Sequence, residues 1–176
     1  MRVHSSPAGA ISRAAVLILA IFLSAGVAVA QKRVAVTQDA GPFASLAGNW
    51  SGSGTIDLAN GAHEPIKCRA SYDVLDEQDK LQLNIHCASE SYQFNLQGSA
   101  TYAGGAIKGN WSESTRNAAG TLAGKVEGTG FQVVANGPSF SANLSLATHG
   151  DTQSVTISSR EANANVRGAT ITLQRG

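Results

Sequence analysis

Charge is scarce in this 176-residue chain: Asp, Glu, Lys and Arg make up 14% of it, and the formal net charge is +1. All twelve acids follow residue 30, whereas Arg2 and Arg13 precede it, so the body of the chain is nearly neutral. A near-neutral surface does not gather phosphates, which excludes nucleic acid as a partner. Aromatic residues are also few, at 6%, yet 43% of residues are hydrophobic, so the shortage of charge does not signal disorder. Cysteine occurs twice and methionine once. No long apolar run follows residue 30, and almost no segment after Gly48 repeats with the 3.6-residue period of a helix.

The first thirty residues differ from the rest. Arg2 and Arg13 precede an apolar stretch from Ala14 to Val27, and Ala28-Val29-Ala30 is a small-x-small site ahead of Gln31. Read as a membrane anchor, the run is interrupted by Ser24 and Gly26 and falls short of the ~20 residues that span a bilayer. Residues 1–30 are therefore expected to be a signal peptide cleaved after Ala30, giving a periplasmic or secreted protein with no membrane span after cleavage. Residues 31–45 lack periodicity and are expected to form a flexible N-terminal segment, leaving 46–176 as a single domain.

In an oxidising compartment Cys68 and Cys87 are expected to pair as a disulfide. The rival reading, a metal site, needs further ligands, and His63, His86 and His149 lie at no tight spacing. No metal and no cofactor are expected.

What the domain does have is alternation with period two. Ile66, Cys68, Ala70, Tyr72 and Val74 alternate with polar residues, as do Leu81, Leu83, Ile85 and Cys87. Tyr92, Phe94, Leu96, Gly98 and Ala100 follow, then shorter stretches around Trp111, Leu122, Phe131, Leu144, Val155 and Ile171. Turn signals separate them at Glu77-Gln78, Ser89-Glu90, Gly104-Gly105, Asn136-Gly137-Pro138 and His149-Gly150-Asp151. A two-residue turn at Glu77-Gln78 sets Cys68 opposite Cys87 and Tyr72 opposite Leu83. A turn at Ser89-Glu90 would set Ile85 against Phe94, and one at Gly104-Gly105 sets Gly98 against Trp111, leaving the indole room. One-sided strands joined in this order predict an all-β, antiparallel up-and-down barrel of eight or nine strands. A two-sheet β-sandwich is the alternative.

The tetrapeptide Gly-Asn-Trp-Ser occurs at 48–51 and again at 109–112, and the two copies hold both tryptophans. The indoles can anchor the core or form stacking platforms for a ligand; anchoring is the ordinary role of a buried aromatic. In the last strand Arg175 shares the parity of Ile171 and Leu173. If the last strand pairs with the first, Arg175 comes to Trp50 and closes the barrel against it by a cation–π contact; the alternative is a frayed terminus with Arg175 in water. On the same apolar face, Tyr72, Tyr92, Tyr102, Trp111 and Glu113 are the candidate ligand-binding residues of a polar-tipped pocket. Glu113 either lies at an open barrel end or meets a partner, because an unpaired acid is rarely buried.

Gly48-Asn49-Trp50, opening a strand after Phe43 and Leu46, resembles the G-x-W start of lipocalin-type barrels, and that resemblance implies Arg175 as the late arginine on the tryptophan. The strings Trp50-Ser51-Gly52-Ser53-Gly54, Cys68-Arg69-Ala70-Ser71-Tyr72, Cys87-Ala88-Ser89-Glu90-Ser91-Tyr92 and Gly109-Asn110-Trp111-Ser112-Glu113 together resemble a family of small exported bacterial proteins of uncharacterised function. Small periplasmic metalloprotease inhibitors also combine a G-x-W start with one disulfide, but their inhibitory segment has no match in Gln31 to Ser45. No G-x-S-x-G elbow, phosphate loop or activated nucleophile is present, so no catalytic residue is expected. Two function classes follow: a non-enzymatic barrel that binds a small apolar or amphipathic ligand, or a ligand-free envelope protein that binds another protein, a protease included.

Overall fold

Ten strands follow one another with hairpin connections, and the last returns to the first. The computed structural model describes residues 41–75, 79–138 and 140–176. The expected signal peptide, most of the 31–45 segment and the expected Glu77-Gln78 turn lie outside the described residues. The strands are β1 (Gly48–Leu58), β2 (His63–Leu75), β3 (Lys80–Ala88), β4 (Gln93–Ala103) and β5 (Ala106–Glu113). They continue as β6 (Ala118–Glu127), β7 (Gly130–Gly137), β8 (Phe140–His149), β9 (Thr152–Ser159) and β10 (Val166–Arg175). Each pairs antiparallel with the next, and β10 pairs antiparallel with β1, which closes an up-and-down barrel and excludes the sandwich. The strand count exceeds the eight or nine expected. The inner faces of β7 and β9 carry Ala135, Gly137 and Gln153 among their apolar residues, so their alternation is weak although their pairing is complete.

The registers test the turn arguments directly. Cys68 opposes Cys87 and Tyr72 opposes Leu83, as a turn at Glu77-Gln78 requires. Gly98 opposes Trp111 and Tyr102 opposes Ile107 across the Gly104-Gly105 turn. The β3–β4 hairpin differs: Ile85 opposes Leu96, not Phe94. The backbone N–H of Ser89 donates to the carbonyl of Tyr92 at 2.8 Å, so the loop is Glu90-Ser91 and the pairing moves on by two residues. A two-residue shift keeps every side chain on its own face. The inward parity therefore survives the correction.

Cys68 and Cys87 are buried and joined by a disulfide across β2 and β3, with a Cα–Cα distance of 4.1 Å and a sequence separation of 19. Closing a loop of that size restricts the unfolded chain and contributes about 3 kcal/mol in the chain-entropy model. Replacing both cysteines with serine is expected to lower the urea midpoint accordingly; an unchanged midpoint would show that the cross-link adds nothing to the barrel.

One end of the barrel is sealed. The chain enters there through a short 3-10 helix, Ala44–Leu46, with Phe43 and Leu46 each only 2% exposed. Phe43 stacks on Phe131 at 5.5 Å between ring centroids. In its described part, 41–45, the segment expected to be loose is thus docked into the core, because Phe43 is an apolar residue with an aromatic partner to cover. Trp50, also 2% exposed, donates from Nε1 to the Leu46 carbonyl at 2.7 Å. Arg175 opposes Trp50 in the β1–β10 register, with its guanidinium carbon 4.2 Å from the indole centroid. Its Nη1 and Nη2 donate to the carbonyls of Ala47 and Ser45, and its Nε to Asp151 at 3.1 Å. The expected closure is present, and Arg175 also fastens the entering chain.

Candidate functional site

Alternation says which side chains point inward; the strand ends say how deep they lie. The last residues of β2, β4, β6 and β8 lie at the sealed end with the 3-10 helix, and those of β1, β3, β5, β7 and β9 lie at the opposite end. Tyr72, near the end of β2, and Tyr102, near the end of β4, therefore belong to the sealed end. Tyr92 and Glu113 belong to the opposite end, with Trp111 one inward position deeper. The five candidate residues share a face but do not form one cluster.

Tyr72 is 4% exposed and donates its hydroxyl to Gln153 Oε1 at 2.9 Å. Gln153, fully buried, reaches Thr148 Oγ1 at 3.5 Å, and Thr148 is also buried. Burial pushes the Tyr72 phenol up from its usual range, so it stays a neutral donor. These three groups form a satisfied polar floor. Sequence reasoning missed Gln153 and Thr148, since polar residues at inward positions look like breaks in the pattern.

Glu113 ends β5 at 6% exposure. Burial alone would raise its pKa and is the largest single influence; hydrogen bonds to the charged form together outweigh it. They come from the Thr115 hydroxyl (2.6 Å) and the backbone N–H groups of Asn95 (2.9 Å), Thr115 (3.0 Å) and Arg116 (2.9 Å). The result holds the carboxyl at about 2. The β5–β6 turn wraps back over the carboxylate, with Asn117 at a left-handed φ of 50°. Glu113 thus meets a partner, and the partner is its own turn. Because its folded pKa lies below the unfolded value, its stabilisation is complete above about pH 4.5 and is lost as pH falls toward 2. The effect is on the order of 3 kcal/mol. Glu113→Gln is expected to be less stable than the parent at pH 7, with the gap closing by pH 2; a gap independent of pH would contradict this role.

Trp111 is 6% exposed and meets Phe140 edge-on at 5.5 Å. Its indole lies across two glycines: a Cβ on Gly120 would come within 2.8 Å of Nε1, and one on Gly137 within 2.9 Å of Cζ2. Nε1 is buried with no hydrogen-bond partner among the described residues. Phe140 itself is 38% exposed at this end.

The interior is filled unevenly. Trp50, Ile56, Ile66, Ile107, Ile171 and Leu173 are all nearly inaccessible. Leu83, Leu96, Leu122, Val133, Leu144 and Ile157 also point inward, yet each keeps part of its surface accessible. Inward Gly98, Gly109, Gly120 and Gly124, with Ala135 and Ala142, supply little volume on the same wall. The inner wall of β3 to β9 is thus less tightly covered than that of β1, β2 and β10.

Two open depressions lie on the outer wall. One of about 410 Å³ is bordered by Asn49, Ser51, Arg69, Ser71, Asn84 and His86. The other, of about 350 Å³, is bordered by Gln82, Asn84, Gln97, Ser99, Asn110 and Ser112. The repeated tetrapeptide explains their flanks: each copy turns its tryptophan inward and its Asn and Ser outward. Both hollows are open to solvent, and inner-face residues reach them through the wall: Trp50 and Ala70 in the first, Leu83, Gly98 and Trp111 in the second. Near the first hairpin, His63 Nδ1 and Asp57 Oδ1 are 2.7 Å apart, while Glu64 accepts instead from the Ser91 N–H at 2.6 Å. Among the described residues no group of three or more His, Cys, Asp or Glu is placed to hold a metal.

No family model matches the sequence, and no curated protein is significantly similar to it. Among solved structures the barrel is similar to that of Rv2717c from M. tuberculosis, with a TM-score of 0.60 and 12% identity over 75% of this chain and 93% of that one. It is also similar to the S-type phycobiliprotein lyase CPES from Guillardia theta, with a TM-score of 0.57 and 8% identity over 76% of this chain and 90% of that one. At these identities the likeness is one of fold.

Proposed function

We propose that this chain is an exported binding protein that takes a small apolar or amphipathic ligand into its barrel. The observation that carries the reading is the set of inward aliphatic side chains on β3 to β9 that keep part of their surface accessible, while the end with the 3-10 helix is sealed. A core without a ligand would normally collapse onto such residues, since buried apolar groups contribute ~25 cal/mol per Å² removed from water. The disulfide supports an oxidising address, periplasmic or secreted, reached by cleavage after Ala30. A barrel of this fold also serves in a phycobiliprotein lyase.

The test is titration of the full exported protein with N-phenyl-1-naphthylamine, an uncharged apolar fluorophore. Saturable enhancement at one site per chain is expected. Linear, non-saturable signal would favour the ligand-free module that binds another protein.

A further inference from the structure

The barrel end opposite the 3-10 helix carries a cation with free donors beside inner-wall aromatics. Arg116, in the β5–β6 turn, folds over the barrel end and places its guanidinium carbon 4.6 Å from the centroid of Phe94. Phe94 lies on the inner wall, opposite Cys87, and stacks on Tyr92 at 6.2 Å with an interplanar angle of 7°. The guanidinium is held in place through Nη1 alone, which donates to the Gln93 carbonyl at 3.0 Å and Thr115 Oγ1 at 3.1 Å and reaches Glu113 Oε2 at 3.5 Å. Glu113 needs little from this contact, because three backbone N–H groups and a hydroxyl already bond to it. Nε and Nη2 form no hydrogen bond among the described residues, and the side chain is 46% exposed.

An arginine edge made of Nε–H and Nη2–H offers two parallel donors at the spacing of a carboxylate's two oxygens. We infer that Arg116 docks the head group of an amphipathic carboxylate whose apolar body enters the barrel past Phe94. This inference rests on the ligand-binding reading and goes beyond it in assigning the head-group chemistry and the residue that selects it. Arg116 is oriented by Gln93 and Thr115 before any ligand arrives, so the contact costs little side-chain ordering. The nearest carboxylate, Glu113, is turned into its own ring of donors and leaves the outer edge of the guanidinium unopposed.

The experiment displaces bound N-phenyl-1-naphthylamine with dodecanoate and, separately, with 1-dodecanol. Both share a chain length and differ in the head. The wild type is expected to prefer dodecanoate by about tenfold or more, as a charge-assisted contact allows. Arg116→Gln should bring the two within about twofold without changing the dodecanol midpoint, and Arg116→Lys should recover only part of the preference. Equal displacement by both compounds in the wild type, or a preference that survives Arg116→Gln, would overturn the assignment while leaving the binding barrel intact. If the fluorophore never binds saturably, the barrel reading fails and the inference fails with it. The thermal midpoint of each variant, measured alongside, separates loss of docking from loss of fold.

Discussion

Trp50→Ala is expected to cost about 3–5 kcal/mol of stability, the range for deleting a buried aromatic. The indole does three things at once at the sealed end. It fills core, it donates to Leu46, and it gives Arg175 a face to lie on. Removing it leaves the Leu46 carbonyl without this donor and takes away one of the contacts that hold the entering segment. Trp50→Phe keeps a ring but not the donor, so an intermediate loss is expected. Urea unfolding followed by circular dichroism measures the cost, and limited proteolysis around residues 41–47 shows whether the segment comes away. A variant that melts with the wild type would mean that this end is held by something other than the indole.

Gly54→Ala is expected to be comparably damaging, although it adds only a methyl group. A Cβ at Gly54 would sit 2.0 Å from the Thr170 carbonyl oxygen and 2.7 Å from the Ile171 Cα. Both are backbone atoms of β10, which pairs with β1 along most of its length, so neither can step aside alone. Overpacking of a side chain against side chains typically costs 1–3 kcal/mol; against fixed backbone at the barrel seam, about 3 kcal/mol or more is expected. Thr55→Ala, next in sequence and facing the other way, is the control and should be nearly neutral. Equal urea midpoints for the two variants would show that the seam is softer than its geometry implies.

How far the sequence was readable depends on what each signal encodes. Alternation encodes face, and the inward residues from Ile66 in β2 to Glu113 in β5 were legible from it, whereas Ile56 in glycine-rich β1 was not. Registers were legible wherever a second constraint agreed with the turn, as with Cys68 and Cys87, or Gly98 and the indole of Trp111. Where a turn stood alone, at Ser89-Glu90, the pairing came out two residues away, because the choice between Ser89-Glu90 and Glu90-Ser91 depends on one backbone hydrogen bond. Depth along the barrel axis was not legible, since every second residue of a strand looks alike in sequence. That is why Tyr72 and Tyr92 were expected together and lie at opposite ends. Gln153 was hidden for a different reason: a buried amide reads as solvent-facing until its partner, Tyr72, is known. Arg116 carried no pattern at all, and its place over Phe94 follows from how the turn closes on Glu113.

The seam between β1 and β10 has a consequence for the order of folding. Every other strand pair is a local hairpin and can form as soon as both of its arms exist. The seam joins Trp50 to Arg175, so its loop-closure entropy is paid over most of the chain. Its contacts should therefore form late, after the rate-limiting barrier, and lesions there should quicken unfolding and leave the refolding rate almost untouched. Until residues 166–175 arrive, the edge of β1 stands unpaired. A nascent chain in that condition carries its aggregation hazard at its beginning, and its last strand is the one that removes it.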